Sequence, residues 1–208
     1  MFTRPHHQRI AKVLESLDAD LLKRHNCLFA GGTAIALGYG EYRESVDMDF
    51  LVSDLSSYRY LRNLVREQGL QALMKGTDAG QFQTSDIRSD QYGIRTKVFV
   101  EGKPIKFEIV LEGRIGLAKP GKKDSILGVA SLTKLDMAAS KLLANSDRGL
   151  DRGMHCRDVI DLAKVIGMLG EANGLLERCM KAMDVSVPRA LLWQNISKLK
   201  FFLDDVIS

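Results

Sequence analysis

The most constraining segment of this chain covers residues 46–52, where two aspartates, Asp47 and Asp49, alternate with apolar residues. Successive side chains of a β-strand point to opposite faces of the sheet, so a strand here places both carboxylates on one face and Met48 and Phe50 on the other. Adjacent like charges repel unless a cation lies between them, and carboxylate oxygens suit magnesium or manganese. The alternation therefore predicts a strand with a divalent-metal site, although a bare Asp-x-Asp is more typical of a solvated turn.

A glycine pair precedes this strand in the sequence Gly31-Gly32-Thr33. Glycines leave the main-chain amides open, and amides at the start of a helix bind phosphate oxygens well. We predict a short buried strand at residues 27–30, a turn at the glycine pair, and a brief helix that ends at Gly38 and Gly40. Phosphate-binding amides and metal-binding carboxylates would then meet at one sheet edge.

The run Gly31-Gly32-Thr33, followed by Arg43-x-Ser45-x-Asp47-x-Asp49, resembles the DNA polymerase beta-like nucleotidyltransferase superfamily. More narrowly, it resembles the AbiEii/AbiGii toxin nucleotidyltransferases of bacterial abortive-infection and toxin-antitoxin systems. The resemblance implies an α+β fold, with a nucleotidyltransferase-type mixed sheet and flanking helices, followed by a C-terminal helical domain.

The order of predicted elements agrees with that fold. Helices are predicted at residues 9–22 and after a cap at Ser56 or Ser57, the second ending near Gly69. Further strands are predicted at residues 81–85, 93–100 and 105–111, the last two forming a hairpin.

A segment rich in glycine, lysine and proline, residues 113–125, separates this half from a nearly all-helical remainder. We therefore expect a nucleotidyltransferase domain over residues 1–115 and a helical domain over residues 116–208. Helices in the second half are predicted at residues 133–143, 157–169, 175–183 and 188–203.

Glu108 lies on the last predicted strand, on the same face as Lys106 and opposite Ile105 and Phe107. Spacing alone indicates an exposed strand residue. The resemblance implies another role, because the superfamily places a third carboxylate on a later strand, beside the aspartate pair.

The second half contains two further motifs. Lys141 and Arg148 are seven residues apart and would share one helix face, where both could reach a triphosphate, although a solvated basic face has the same pattern. Together with Arg157, Asp158 and Asp161, they resemble the lysine-leucine-x-alanine-x-x-x-arginine and arginine-aspartate-x-x-aspartate motifs of the toxin family. Either aspartate could orient the basic residues or act on the substrate, or could instead form a helix-stabilising ion pair with Arg157 or Lys164.

By resemblance, the chain is a nucleotidyltransferase that uses an NTP and two Mg²⁺ or Mn²⁺ ions. The implied catalytic residues are Asp47, Asp49, Glu108, Lys141 and Asp158, of which the first three bind metal. The implied nucleotide-binding residues are Gly31, Gly32, Thr33, Ser45, Lys141 and Arg148.

The expected acceptor is an RNA, most simply a tRNA 3′ end, and the expected partner is a cognate antitoxin in a growth-arrest or phage-defence system. Transfer to a protein or to a small molecule such as an aminoglycoside is the alternative within the enzyme class. A non-catalytic binding protein of the same fold is the alternative outside it.

Composition limits the class without defining the function. With 208 residues, 45% of them hydrophobic, and a net charge of +4, the chain can bury a substantial core, and its charge is too small to diagnose nucleic-acid binding. No apolar run is long enough for a membrane span, and we expect a cytoplasmic protein. Three cysteines match no disulfide or zinc pattern, and the adjacent His6 and His7 are expected at a frayed helix end without a chemical role.

Overall fold

The computed structural model describes residues 2–76, 80–148 and 157–167. The chain divides into two compact units, Met1–Thr133 and Lys134–Ser208. The boundary predicted between residues 115 and 116 stays a prediction. The helices predicted at residues 175–183 and 188–203 lie outside the described part of the chain.

The first unit combines four α-helices and one 3₁₀ turn with eight strands in its described residues. The helices are α1 (Pro5–Ser16), α2 (Ala19–Arg24), α3 (Gly31–Gly38) and α4 (Leu55–Gln68), and the 3₁₀ turn is Leu70–Leu73. The strands are β1 (Leu28–Ala30), β2 (Met48–Val52), β3 (Gln83–Thr84), β4 (Arg88–Ser89), β5 (Gly93–Val100), β6 (Lys103–Leu111), β7 (Ser125–Ile126) and β8 (Val129–Ala130).

The main sheet is mixed. Its strands follow the order β1-β2-β6-β5-β3, with β4 also paired to β5, while β7 and β8 form a separate hairpin. Strands β2 and β6 are parallel, whereas the other pairs in this sheet are antiparallel. The predicted mixed sheet with flanking helices is therefore confirmed, as is the hairpin of β5 and β6. Its turn lies at Glu101 and Gly102, whose positive φ angles are typical of a tight hairpin turn.

One face of the sheet forms the core. Phe29 of β1, Phe50 of β2 and Phe107 of β6 are fully buried. The ring centroids of Phe29 and Phe50 are 5.3 Å apart, and those of Phe50 and Phe107 are 5.2 Å apart. Tilted aromatic rings at this spacing attract one another beyond the area that they bury. The alternation predicted for residues 46–52 is confirmed, because Met48, Phe50 and Val52 are all buried.

Two helix boundaries differ from the sequence predictions. The helix predicted at residues 9–22 is two helices, because the amide of Asp18 donates to the carbonyl of Leu73 and the Asp18 carboxylate caps α2 by accepting from the amide of Leu21. The cap of α4 is Asp54 rather than Ser56 or Ser57, since its carboxylate accepts from the amide of Ser57 at 2.7 Å. In both places an aspartate carboxylate caps the N-terminus of the helix.

The second unit has two helices in its described part, α5 (Lys134–Arg148) and α6 (Arg157–Gly167). Their buried residues recur at helical spacing, with Ala138 and Leu142 on α5 and Leu162 and Val165 on α6. Among the described residues, no helix has the length and apolar character needed to cross a membrane.

Replacing Phe50 with alanine should destabilise the first unit by about 3–5 kcal/mol, because it removes the middle ring of a buried aromatic cluster. Chemical denaturation followed by circular dichroism measures the change. Tyr92→Ala is the matched control, since that ring is 63% exposed; its cost should be within about 0.5 kcal/mol. Equal effects of the two variants would contradict this account of the core.

Candidate active site

The pairing of three strands brings two carboxylates and one guanidinium into a single row. Asp49 of β2 lies opposite Glu108 of β6, and Glu108 lies opposite Arg95 of β5. Residues opposite each other on paired strands point to the same face. Asp47 was predicted inside the strand but lies in the loop just before it, because β2 begins at Met48.

Two basic side chains contact Glu108. Lys106 Nζ lies 2.9 Å from one carboxylate oxygen and Arg95 Nε lies 3.2 Å from the other. The Glu108 side chain is only 14% exposed. Spacing alone indicates an exposed residue at this position, and that prediction is wrong. Neither basic residue belongs to a motif that predicts a role for it.

Lys106 marks where the three carboxylates converge. Partial burial alone would lower the pKa of the Lys106 ammonium, but the hydrogen bond to Glu108 and the charges of Glu108, Asp47 and Asp49 outweigh it and raise that pKa. The ammonium is therefore within the electrostatic field of all three acids. Lys106 and Arg95 together balance part of the negative charge of these three acids.

The donor set suits a hard divalent ion shared with a substrate. Within the described residues, no group of three or more His, Cys, Asp or Glu side chains is arranged to hold a metal ion. Magnesium in nucleotide sites is usually held by one or two carboxylates together with waters and substrate phosphates. Asp47 and Asp49 can supply such a pair, whereas the Glu108 carboxylate is engaged by Lys106 and Arg95.

The glycine turn directly contacts the acidic strand. Gly31 has a φ of +72°, and a Cβ built on it would lie 2.3 Å from Asp49 Oδ2. A side chain therefore cannot fit at residue 31 unless the Asp49 carboxylate moves. The first amides of a helix have no acceptor in a preceding turn and carry the positive end of its dipole. The Asp49 carboxylate thus lies at the positive end of α3.

Thr33 links α3 to the loop that carries Asp47. Its buried hydroxyl lies 2.8 Å from Ser45 Oγ and also contacts the main-chain carbonyl of Asp47. The Thr33 hydroxyl is the donor in both contacts, so its single proton is shared between Ser45 Oγ and the Asp47 carbonyl. The side chains of Thr33 and Ser45 thus hold Asp47 in place from inside the protein.

The loop of residues 39–47, here called the Asp47 loop, is also held by the N-terminal segment. His7 Nδ1 lies 2.8 Å from Glu41 Oε1, and His7 Nε2 accepts from the amide of Ser45 at 3.0 Å. His6 Nε2 donates to the carbonyl of Val46 at 2.9 Å. The expectation of a frayed helix end was wrong, because His7 is fully buried.

A sequence signal for this burial was available. Pro5 occupies the first turn of α1 and favours a helix start there. A helix that starts at residue 5 places His7 on the same face as Ile10 and Leu14.

Glu41 is the point where the N-terminal segment meets the Asp47 loop. It has a φ of +53°, which is uncommon for a residue other than glycine. Partial burial alone would raise the pKa of its carboxyl, but hydrogen bonds from Thr3, His7 and Arg4 outweigh it and lower that pKa to about 2. Glu41 thus combines an uncommon backbone conformation with a carboxylate that accepts several hydrogen bonds.

The second unit has its own buried ionic cluster. Lys141 Nζ of α5 lies 2.8 Å from Asp158 Oδ1 and 2.7 Å from Asp161 Oδ2 of α6. Asp161 is fully buried, and Lys141 is 8% exposed. Both aspartates thus pair with Lys141, one of the two basic residues that they were expected to orient, rather than with Arg157 or Lys164 alone. Arg148 is the last described residue of α5, and only its helical backbone is described.

A mixed sheet that places an acidic row beside a glycine turn defines a nucleotidyltransferase. The family model described as nucleotidyl transferase AbiEii toxin, Type IV TA system, matches residues 12–206. The chain therefore belongs to the AbiEii nucleotidyltransferase toxin family. No curated protein matches it in sequence.

Matches among solved structures have low sequence identity to this chain. JHP933 from Helicobacter pylori is 15% identical, with a TM-score of 0.44 over 99% of this chain and 98% of that one. MenT4, a nucleotidyltransferase toxin from Mycobacterium tuberculosis H37Rv, is 16% identical, with a TM-score of 0.45 over 79% of this chain and 61% of that one. The antibiotic-resistance factor ANT(2'')-Ia is 12% identical, with a TM-score of 0.47 over 96% of this chain and 97% of that one.

Gly31→Ala should displace the Asp49 carboxylate and abolish nucleotide transfer. Gly102→Ala is the matched control, because Gly102 has a φ of +71° and nothing within 4 Å of a built Cβ. Both variants bear the strain of about 1–2 kcal/mol for a left-handed alanine, and only Gly31→Ala adds overpacking of about 1–3 kcal/mol. Thermal unfolding and a transfer assay of both variants measure the difference, and equal activity would contradict the contact.

Replacing Glu41 with glutamine should make the melting temperature of the protein less dependent on pH in the acidic range. The folded pKa of Glu41 is about 2, below its ordinary 4.5. Its contribution is therefore complete above pH 4.5 and is lost as the pH falls to about 2. The melting temperature of the wild type should exceed that of the variant at pH 7, and this difference should shrink near pH 2. A constant difference would contradict the role of the ionised carboxylate.

Proposed function

We propose that the chain transfers a nucleoside monophosphate from an NTP to an RNA acceptor, specifically a tRNA 3′ end, in a reaction that depends on Mg²⁺ or Mn²⁺. The observation that carries this proposal is the contact between the Asp49 carboxylate and Gly31, with Glu108 beside Asp49 in the sheet. Groups suited to a metal ion and to phosphate are thereby in direct contact.

Asp47, Asp49 and Glu108 would hold the divalent ions. When bound, the ions neutralise charge on the departing pyrophosphate and lower the pKa of the acceptor hydroxyl. Phosphoryl transfer requires positioning and electrostatic stabilisation more than covalent chemistry by the protein. The parallel pairing of β2 and β6 provides that positioning for two of the three acids.

Lys106 would balance the acids before a nucleotide arrives. Its ammonium is bonded to Glu108 and lies in the field of Asp47 and Asp49. Since its side chain is 50% exposed, it has room to turn toward solvent or toward an incoming phosphate. We infer that Lys106 releases Glu108 when the nucleotide binds.

The main-chain amides of Gly31, Gly32 and Thr33 would hold the terminal phosphates of the NTP. The dipole at the start of α3 favours negative charge there. Ser45 would support this turn through its contact with Thr33. The turn then orients the triphosphate for in-line attack.

Lys141 and Arg148 would bind the triphosphate, as their match to the toxin-family motif implies. Asp158 would orient Lys141, with which it forms a part-buried hydrogen bond. Asp161 is the more deeply buried partner and lies 2.7 Å from Lys141 Nζ.

The RNA acceptor is supported by the toxin family and by basic residues in the first unit. Lys119, Lys122 and Lys123 are exposed on one loop. Such charges attract a polyanion without selecting a sequence. We propose that the protein acts in the cytoplasm as the toxin of a growth-arrest or phage-defence pair and is held in check by a cognate antitoxin.

The acceptor can be identified with NTPs labelled at the α-phosphate. The protein is incubated with each NTP, with Mg²⁺ or Mn²⁺, and with total cellular RNA and total protein in separate reactions. The proposal expects label in RNA of tRNA size that is removed by ribonuclease. Label in protein or in an added aminoglycoside would instead support the alternative acceptors, and no transfer with any nucleotide would overturn the proposal.

Asp47→Asn and Asp49→Asn should each abolish transfer while leaving the melting temperature close to that of the wild type. Each change removes an anionic metal ligand but no apolar core group. Glu67→Gln on α4 is the matched control, because it neutralises an exposed acid. Full activity in either aspartate variant would contradict the assignment.

A further inference from the structure

The buried imidazole of His7 joins two points of the Asp47 loop. Its Nδ1 faces the carboxylate of Glu41, and its Nε2 faces the amide of Ser45. Glu41 and Ser45 lie on either side of the loop's middle, and Ser45 is two residues before Asp47. A single side chain on α1 therefore spans the loop that delivers one of the proposed metal ligands.

The hydrogen bonds fix the protonation state of this imidazole. The Glu41 carboxylate is ionised, as its pKa of about 2 requires, so it accepts and Nδ1 must carry the proton. The Ser45 amide donates to Nε2, so Nε2 must carry none. His7 is therefore neutral, in the Nδ1–H tautomer, with both ring nitrogens satisfied in a fully buried position.

The contacts continue from His7 to the acidic row. Ser45 bonds to Thr33, Thr33 bonds to the carbonyl of Asp47, and the helix that contains Thr33 begins at Gly31, against the Asp49 carboxylate. A shift of the Ser45 amide would therefore move Asp47 relative to Asp49. A phenylalanine could fill the same volume as His7 but could supply neither hydrogen bond.

We propose that His7 is a positioning residue of the active site, which holds Asp47 in register with Asp49 through its bonds to Glu41 and Ser45. This rests on the proposed function of the acidic row. His7 does not touch substrate in this arrangement and acts only through the Asp47 loop. A displacement of about 1 Å in a positioned group can cost on the order of 100-fold in rate.

Three substitutions separate the two bonds of the imidazole. His7→Phe removes both, His7→Gln can restore an acceptor near Nε2, and His7→Asn can restore a donor near Nδ1. Lys12→Ala is the matched control, because Lys12 is on the same helix and forms an exposed ion pair with Glu101. Melting temperatures verify that each variant is folded.

In His7→Phe, kcat should fall by about 10- to 100-fold while the KM for NTP stays nearly unchanged, since the loss concerns geometry at the reacting centre. Hydrogen exchange at the Ser45 amide should become faster. His7→Gln should recover part of both the rate and the amide protection, His7→Asn should recover less of the Ser45 protection, and Lys12→Ala should behave as wild type. A wild-type kcat in His7→Phe, or unchanged exchange at Ser45, would overturn the proposal.

The nitrogen-15 spectrum of His7 gives a test that does not depend on activity. It should show a protonated Nδ1 and an unprotonated Nε2 at neutral pH; an imidazolium or the opposite tautomer would overturn the proposal. If the wild type transfers no nucleotide, the proposed function fails, while this spectrum and the exchange rates still decide whether His7 holds the loop. If His7→Phe does not fold, the two amide variants decide the question.

Discussion

The structure depends most on the parallel pairing of β2 with β6. It sets Asp49 opposite Glu108 on one face and packs Met48 beside Phe107 on the other. A slip of one residue would exchange the two faces and bury the carboxylates in the aromatic core. The buried phenylalanines therefore set the register of the acids, so the stability of the core and the geometry of the candidate active site have a common origin.

A second kind of constraint governs Asp47, which lies outside the sheet. Its position is determined by side chains that reach the loop from α1 and α3, among them His7 and Thr33. The charge at this sheet edge is likewise distributed, since Glu108 is shared between Lys106 and Arg95. Without such partners, the neighbouring carboxylates of Asp47, Asp49 and Glu108 would repel one another.

Sequence patterns predicted the features that depend on local periodicity. The alternation around Phe50 gave the strand and its two faces, and the glycine pair gave the start of α3. They did not predict that β2 begins at Met48, because the carbonyl of Asp47 is drawn to the hydroxyl of Thr33, 14 residues earlier.

The role of His7 was missed for a similar reason, since its partners Glu41 and Ser45 are 34 and 38 residues away. Contacts across such separations depend on how elements pack and leave no mark on neighbouring residues. The family motifs named the acidic residues and Lys141, but only the structure shows that Lys141 pairs with both aspartates of α6.

The lysine among the acids also affects how the protein rests between reactions. Lys106 serves as an internal counterion, and its raised pKa keeps it charged through the neutral range. Lys106 and Arg95 therefore offset part of the negative charge at this sheet edge within the protein itself.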